Sequence, residues 1–336
     1  MSDARVTSGW AAGLLWDEST FGIARESRYG ERASDDFQLI RLSGGNFKLT
    51  QSRTYLDEAH PLLERAAGVA SSYAGSGSLE ALLSFGNHDA LMAAALCGVW
   101  RDGAVSNGAE RSSWTLRQRL GGGWLYRQGV FVRAMELTVA QGDFIRCAFD
   151  TIHAREAIVT GDDAALDHPF SSREALHPCK AQLAATLPGQ IDPGILRRIS
   201  LKCGREDAAL DYGARSPCAQ DVRLGSFAAS GSLDLVLRGH DAFEALVEAQ
   251  PGPLSFTIIG SDGYGYAFRM PRTRLYDAKI DACSRRQLIM ATVEFEAAPS
   301  SGDLSSLNIH RLAPSDADLI TVDHWPVLNN SNTISP

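Results

Sequence analysis

Ser76-Gly77-Ser78-Leu79-Glu80-Ala81-Leu82-Leu83 runs on to His88-Asp89-Ala90-Leu91, and Ser230-Gly231-Ser232-Leu233-Asp234-Leu235-Val236-Leu237 runs on to His240-Asp241-Ala242-Phe243. The copies stand 154 residues apart at the serines and 152 at the histidines, so only a two-residue indel separates them. A repeat this long exceeds the roughly 20–50 residues of solenoid units and marks two similar domains in tandem.

The copies extend by pattern. Leu79, Ala81, Leu83 and Phe85 alternate with Ser78, Glu80, Leu82 and Ser84, a period-two reading that predicts a half-buried strand up to Gly86. Asn87-His88-Asp89 then offers capping oxygens, Ala90 to Leu96 is rich in helix formers, and Gly98 stops the run. Gly239-His240-Asp241 opens the equivalent helix, which Pro251-Gly252-Pro253 ends. Downstream, Ser113-Trp114-Thr115-Leu116 is matched to Ser255-Phe256-Thr257-Ile258, and the closing strand Asp143–Asp150 to Leu288–Glu296; upstream, Phe37–Leu42 is set beside Ile195–Leu201.

The expected fold is mainly β: two tandem antiparallel β-sandwich or partial-barrel domains, each with one short helix, plus extended terminal arms. The boundaries are an N-terminal arm 1–36, domains 37–156 and 195–298, a proline-rich linker 157–194 between them, and a C-terminal tail 299–336.

At 336 residues and 44% hydrophobic composition the chain can bury a sizeable core. No apolar run approaches the roughly 20 residues that span a bilayer, and Trp10–Trp16 is too short for a signal segment, so neither export nor membrane insertion by its own signal is expected. The six cysteines form no Cys-x-x-Cys pair, which argues for reduced thiols and against a zinc site or disulfide framework. A net charge of −8 disfavours stable clamping of nucleic acid.

The His-Asp doublets, His88-Asp89 and His240-Asp241, are the most tempting catalytic candidates, because adjacent His and Asp ligate metal in all-helical phosphohydrolases. A strand-to-helix junction in a β-rich chain is the wrong setting, and an Asp in the first helical turn complements the helix dipole by roughly 0.3–1 kcal/mol. Gly75, Gly77, Gly86 and Gly121-Gly122-Gly123 match no phosphate-loop string, and neither His-Glu-x-x-His nor a Gly-x-Ser-x-Gly elbow is present. Asp162-Asp163 and Asp316 with Asp318 read as solvated loop acids, and Trp100, Trp114 and Trp124 as packed aromatics more than as a sugar platform. The residues nominate no catalytic group, cofactor or metal.

The set Gly77–Gly86, His88-Asp89-Ala90-Leu91 and Leu96-Cys97-Gly98-Val99-Trp100 resembles the signature of the tail tube proteins of long-tailed bacteriophages, in particular the duplicated kind. Gly129-Val130-Phe131-Val132 is similar to a further strand of that family, and Tyr264-Gly265-Tyr266, Met270-Pro271-Arg272 and Val293–Ala297 to its later segments. The signature positions are Gly77, Leu79, Leu83, His88, Asp89 and Trp100 in the first copy, and Gly231, Leu233, Leu237, His240, Asp241 and Pro271 in the second. The linker and the C-terminal tail have no match.

The resemblance implies a non-enzymatic virion protein, assembled in the host cytoplasm, whose tail-tube-like domains pair edge to edge into rings that stack as the tube for DNA ejection. Three two-domain chains would make a pseudo-hexameric ring; a true hexamer is the alternative. Implied partners are further copies of itself, other tail proteins at the tube ends, a tape measure protein in the lumen, and genomic DNA passing a net-negative lining without stable binding. The candidates for inter-ring contacts are the loops Thr50–Ser72 (Thr54, Tyr55, Asp57, Arg65) and Arg205–Arg223 (Tyr212, Arg215) and the terminal segments. The competing readings are a tube initiator or terminator on the same fold and a two-domain adhesin or carbohydrate-binding protein.

Overall fold

The computed structural model describes residues 16, 19–34, 36–55, 67–161, 165–179, 182–188, 196–237, 251–281, 288–300, 302 and 304–314. The helix expected in the second copy, with His240 and Asp241, lies outside the described residues, as do Asp57, Arg65 and the tail beyond 314.

The first half runs β1 (Phe21–Arg25), β2 (Phe37–Ile40), β3 (Gly44–Thr54), β4 (Val69–Leu82), α1 (Asp89–Leu96), β5 (Ala104–Ser106), β6 (Trp114–Leu120), β7 (Gly123–Ala140), β8 (Arg146–His153) and β9 (Arg155–Thr160). The second runs β10 (Asp167–His168), β11 (Gln182–Thr186), β12 (Leu196–Gly204), β13 (Ala209–Tyr212), β14 (Ala219–Arg223), β15 (Ala228–Val236), β16 (Gly252–Ile259), β17 (Gly265–Asp281), β18 (Met290–Ala297) and β19 (Asn308–Leu312). The protein is mainly β, with one helix among the described residues. Hydrogen bonding joins 17 strands into one branched sheet, and β13–β14 is a separate hairpin.

The duplication is plainer in the pairing than in the sequence. In the first half the neighbours run β1-β6-β7-β8-β4-β3, with β9 also on β7. In the second they run β11-β16-β17-β18-β15-β12, with β19 also on β17. Register agrees residue by residue: Gly77 lies between Phe47 and Thr151, and Gly231 between Leu201 and Phe295. Irregularities recur too, since β7 bulges between Val132 and Ala134 where β17 bulges between Leu275 and Asp277. A bulge adds an unpaired residue and increases local twist, so both long strands bend at the same place.

This register corrects two matches made on side-chain type. Trp114 faces Val130 and Gly252 faces Thr273 at equivalent places, so the counterpart of Trp114 is Gly252 and not Phe256. The counterpart of β12 is β3, because both flank the Ser-Gly-Ser-Leu strand; β2 instead pairs with β1 and β10. Repeated pairing also reaches further than the repeated words. It takes in β1, within the expected N-terminal arm, β11, within the expected linker, and β19, within the expected tail. These strands are only five residues long and are held by hydrogen bonds to a neighbour, with little alternation of their own to announce them.

The core follows the alternation. Leu79, Ala81 and Leu83 are sealed from solvent, as are Leu233 and Leu235. Gly77 and Gly231 have a packing reason. A Cβ on Gly77 would run into the Phe47 ring and the Asn46 carbonyl oxygen, and one on Gly231 into the Ser200 carbonyl oxygen, so a side chain at either place forces its neighbours to shift. Helix α1 buries Leu91, Met92, Ala95 and Leu96 against the sheet and ends with Cys97 at φ 48, one residue before the glycine expected to stop it.

Candidate assembly interface

The first His-Asp doublet is structural. His88 is wholly buried with Nε2 2.9 Å from the Arg41 carbonyl oxygen, and desolvation pushes its pKa down, so the ring is held neutral. Asp89 accepts the Tyr266 hydroxyl on Oδ1 and meets Arg311 Nη2 at 2.6 Å on Oδ2. Its carbonyl accepts Trp100 Nε1–H at 2.8 Å, and the Arg311 guanidinium stacks 4.2 Å from the Trp100 ring centre. Tyr266 in turn accepts the Gly86 amide at 2.8 Å, and desolvation and the Asp89 charge raise its pKa well above normal.

Both carboxylate oxygens are thus committed to bonds that tie the helix start to β17 and β19. The expected capping is corrected in part. Asp89 does sit in the first turn, but no side chain caps the helix; Asn87 bonds Ser84 Oγ at 2.7 Å and the Ser171 amide at 2.6 Å instead. Among the described residues no three His, Cys, Asp or Glu side chains gather as a metal site. The aromatics are covered rather than displayed: Arg117 and Arg119 stack on Trp124, as Arg311 does on Trp100. No described helix is long and apolar enough to cross a membrane.

The informative geometry lies where the halves meet. Strands β7 and β12 pair antiparallel from Ala134 opposite Gly204 to Ala140 opposite Arg198. On one face Met135, Leu137 and Val139 lie with Cys203, Leu201 and Ile199, all buried under α1. On the other, Glu136 stands opposite Lys202, whose pKa is raised chiefly by its hydrogen bond to Glu206 and further by Glu136 and Asp150. Burial also pushes the Cys203 thiol up to about 12, so it packs as an inert apolar group. A second seam runs between β19 and β5, from Asn308 opposite Ser106 to His310 opposite Ala104.

The counterparts of β7 and β12 are β17 and β3, and at these the sheet of described residues stops. Among the described residues β3 pairs with β4 alone, and beyond its bulge β17 pairs with β18 alone. Each edge presents apolar groups to solvent. Ile280 is 45% exposed where its counterpart Leu137 is 1% exposed, and Leu49 is 42% exposed where Cys203 is 1% exposed. Tyr276, on the β17 bulge, is 56% exposed. Lys48 and Lys279 stand exposed on these edges, the usual device against indiscriminate strand pairing.

The expected loop contacts fall out unevenly. Thr54 closes the β3–β4 ladder opposite Val69, and Tyr55 and Arg215 are exposed. Tyr212 is engaged within the chain, its hydroxyl donating to the Tyr73 carbonyl at 2.9 Å, while the Tyr73 amide donates to the Pro217 carbonyl at 2.7 Å. Leu237 is half-buried at the end of β15, and Pro271 lies within β17. Sequence reasoning did not single out Leu49, Phe47, Ala278 and Ile280. They look like any alternating strand residues until the pairing shows which edges are open.

The family model described as phage tail tube protein matches residues 16–297. No curated protein matches the chain.

Proposed function

The chain belongs to the phage tail tube protein family, a structural part of the virus tail, and from that membership we propose that it is the repeating subunit of the tube. Two units of like topology, 21–160 and 182–312, serve as its two tube domains. One observation carries the reading: the strands that join the units inside the chain, β7 and β12, have counterparts, β17 and β3, whose outer edges pair with nothing among the described residues. Such a heterologous pair of edges is satisfied only by another copy, and a closing rotation turns it into a ring with no edge exposed.

Three chains then give a ring of six units, rings stack as the tube, and DNA passes through without catalysis. Assembly takes place in the host cytoplasm around a tape measure protein, with other tail proteins at the ends. In this reading the signature residues Gly77, Gly231 and Asp89 act by fixing the sheet, and Tyr55 and Arg215, both exposed, make contacts between rings. The net charge of −8 supports an acidic lumen that does not hold phosphates.

Negative-stain electron microscopy of the purified chain tests this. Hollow tubes or stacked rings are the expected result. Rings that never stack would favour an initiator or terminator, and a monomer at high concentration that binds a glycan would favour the adhesin.

A further inference from the structure

The internal joint supplies a template for the joint between chains. Phe47 holds in β3 the place of Leu201 in β12, since each lies opposite the glycine of its Ser-Gly-Ser-Leu strand. Val132 and Leu275 likewise face Thr151 and Phe295, the partners of those same glycines, and the equivalent bulges follow directly. Carrying the observed β7–β12 register across both equivalences fixes a single alignment.

We infer that Asn46–Leu49 of one copy pairs antiparallel with Ala278–Asp281 of the next, with Leu49 opposite Ala278, Lys48 opposite Lys279 and Phe47 opposite Ile280. This joint rests on the ring-forming reading above and specifies its partner surface.

The chemistry of the two edges supports the register. Leu49 and Phe47 come to lie on one face with Ala278 and Ile280, matching the face that Cys203, Leu201, Met135 and Leu137 fill inside the chain. A slip by one residue would set these groups against the lysine face, because side chains alternate with period two.

The copy is not perfect, and its departures are specific. Glu136 opposite Lys202 becomes Lys279 opposite Lys48, a like-charge pair that weakens the joint at low salt. Gly204, at φ 150, becomes Thr50. A Cβ at Gly204 would lie 2.2 Å from the Arg133 carbonyl oxygen, so pairing between chains stops at Leu49.

Cysteines at directly opposed positions test the register. Residues opposite each other on antiparallel strands have Cα atoms about 4.5–5.5 Å apart, within disulfide reach, whereas a two-residue offset is outside it. Chains carrying Leu49→Cys with Ala278→Cys are assembled, oxidised mildly and run on a non-reducing denaturing gel, beside Leu49→Cys with Ile280→Cys and the unsubstituted chain.

The expected result is covalent trimers from the first pair, with cross-linking at least about tenfold above the offset pair. Equal cross-linking in the two variants, or more in the offset pair, overturns the register while leaving tube formation intact. If the first variant does not assemble, a density map of unsubstituted tubes decides: Ala278 beside Leu49 of the neighbour supports the joint, and any other partner for β3 overturns it. An unsubstituted chain that stays monomeric sinks the tube reading itself and the joint with it.

Discussion

The Tyr266 hydroxyl is hydrogen-bonded to the Asp89 carboxylate, 177 residues away in sequence, and so pins the helix of the first half to a central strand of the second. Removing the hydroxyl in Tyr266→Phe leaves a buried carboxylate short of a donor and the Gly86 amide without its acceptor. A loss of about 1–3 kcal/mol is expected in denaturant unfolding. Asp89→Ala should cost more, because it strands Arg311 as well. A Tyr266→Phe chain as stable as the parent would show that the network contributes nothing.

The repeated glycines should respond unequally to the same change. Gly231→Ala drives a methyl into the Ser200 carbonyl of β12, a strand held on both sides. Gly77→Ala meets Phe47 and the Asn46 carbonyl on β3, a strand paired on one side only among the described residues, which can shift outward. Overpacking costs about 1–3 kcal/mol and sometimes more, so Gly231→Ala is expected at or above that range and Gly77→Ala at its lower end. Thermal unfolding of the two variants settles the order.

Acid should weaken the fold through its buried histidines. Desolvation, helped by Arg269, lowers the His310 pKa from 6.5 to about 4. As pH falls below about 6.5 the unfolded chain takes up the proton first while the folded chain does not, so stability is full above that value and declines between about 6.5 and 4. The loss is on the order of 2–3 kcal/mol at pH 4, and burial of His88 acts in the same direction. His310→Gln should flatten the pH dependence of the unfolding midpoint across this window. An unchanged slope would place the acid sensitivity elsewhere.

Equivalent positions inside and at the edge should separate folding from assembly. Leu137→Lys buries a charge under α1 and is expected to prevent folding. Ile280→Lys, at the solvent-exposed counterpart, should change monomer stability by no more than about 0.5 kcal/mol. It should nevertheless abolish tubes in electron micrographs, while circular dichroism stays that of the parent. Tubes formed by Ile280→Lys at parental yield would remove β17 from the interface.

Salt gives an independent reading of the edges. With Lys48 opposite Lys279, raising ionic strength from low to physiological should speed assembly followed by light scattering, since screening acts over about 8–10 Å. Lys279→Glu restores the sign pattern of Glu136 and Lys202, so it should assemble faster at low salt and lose the acceleration.

What was legible in the sequence was whatever a strand says about itself. The alternation of Leu79, Ala81 and Leu83 announced β4, which ends at Leu82, while Gly77 and Gly231 stood out only as repeated positions, their close approaches showing in the packing alone. Partnership was not legible. Trp114 and Phe256 look alike, yet the place of Trp114 belongs to Gly252, because register is set by the opposing strand. Strands β1, β11 and β19 stayed hidden because a strand of only five residues depends on its neighbours' hydrogen bonds. Asp89 was read as a helix-start residue, but its partners come from β17 and β19, which no local pattern could join to it.

The β7–β12 seam also changes the kinetics expected of a ring. Between separate molecules each joint costs translational and rotational freedom and waits on concentration. In the proposed ring of three two-unit chains, every second joint would form as the polypeptide folds, with its partners tethered at high effective concentration. Fewer collisions then separate a lone chain from a closed ring, and open intermediates, whose bare strand edges invite errant pairing, are shorter-lived at a given protein supply. Fusing two units into one chain thus shifts part of the work of assembly from encounter to folding.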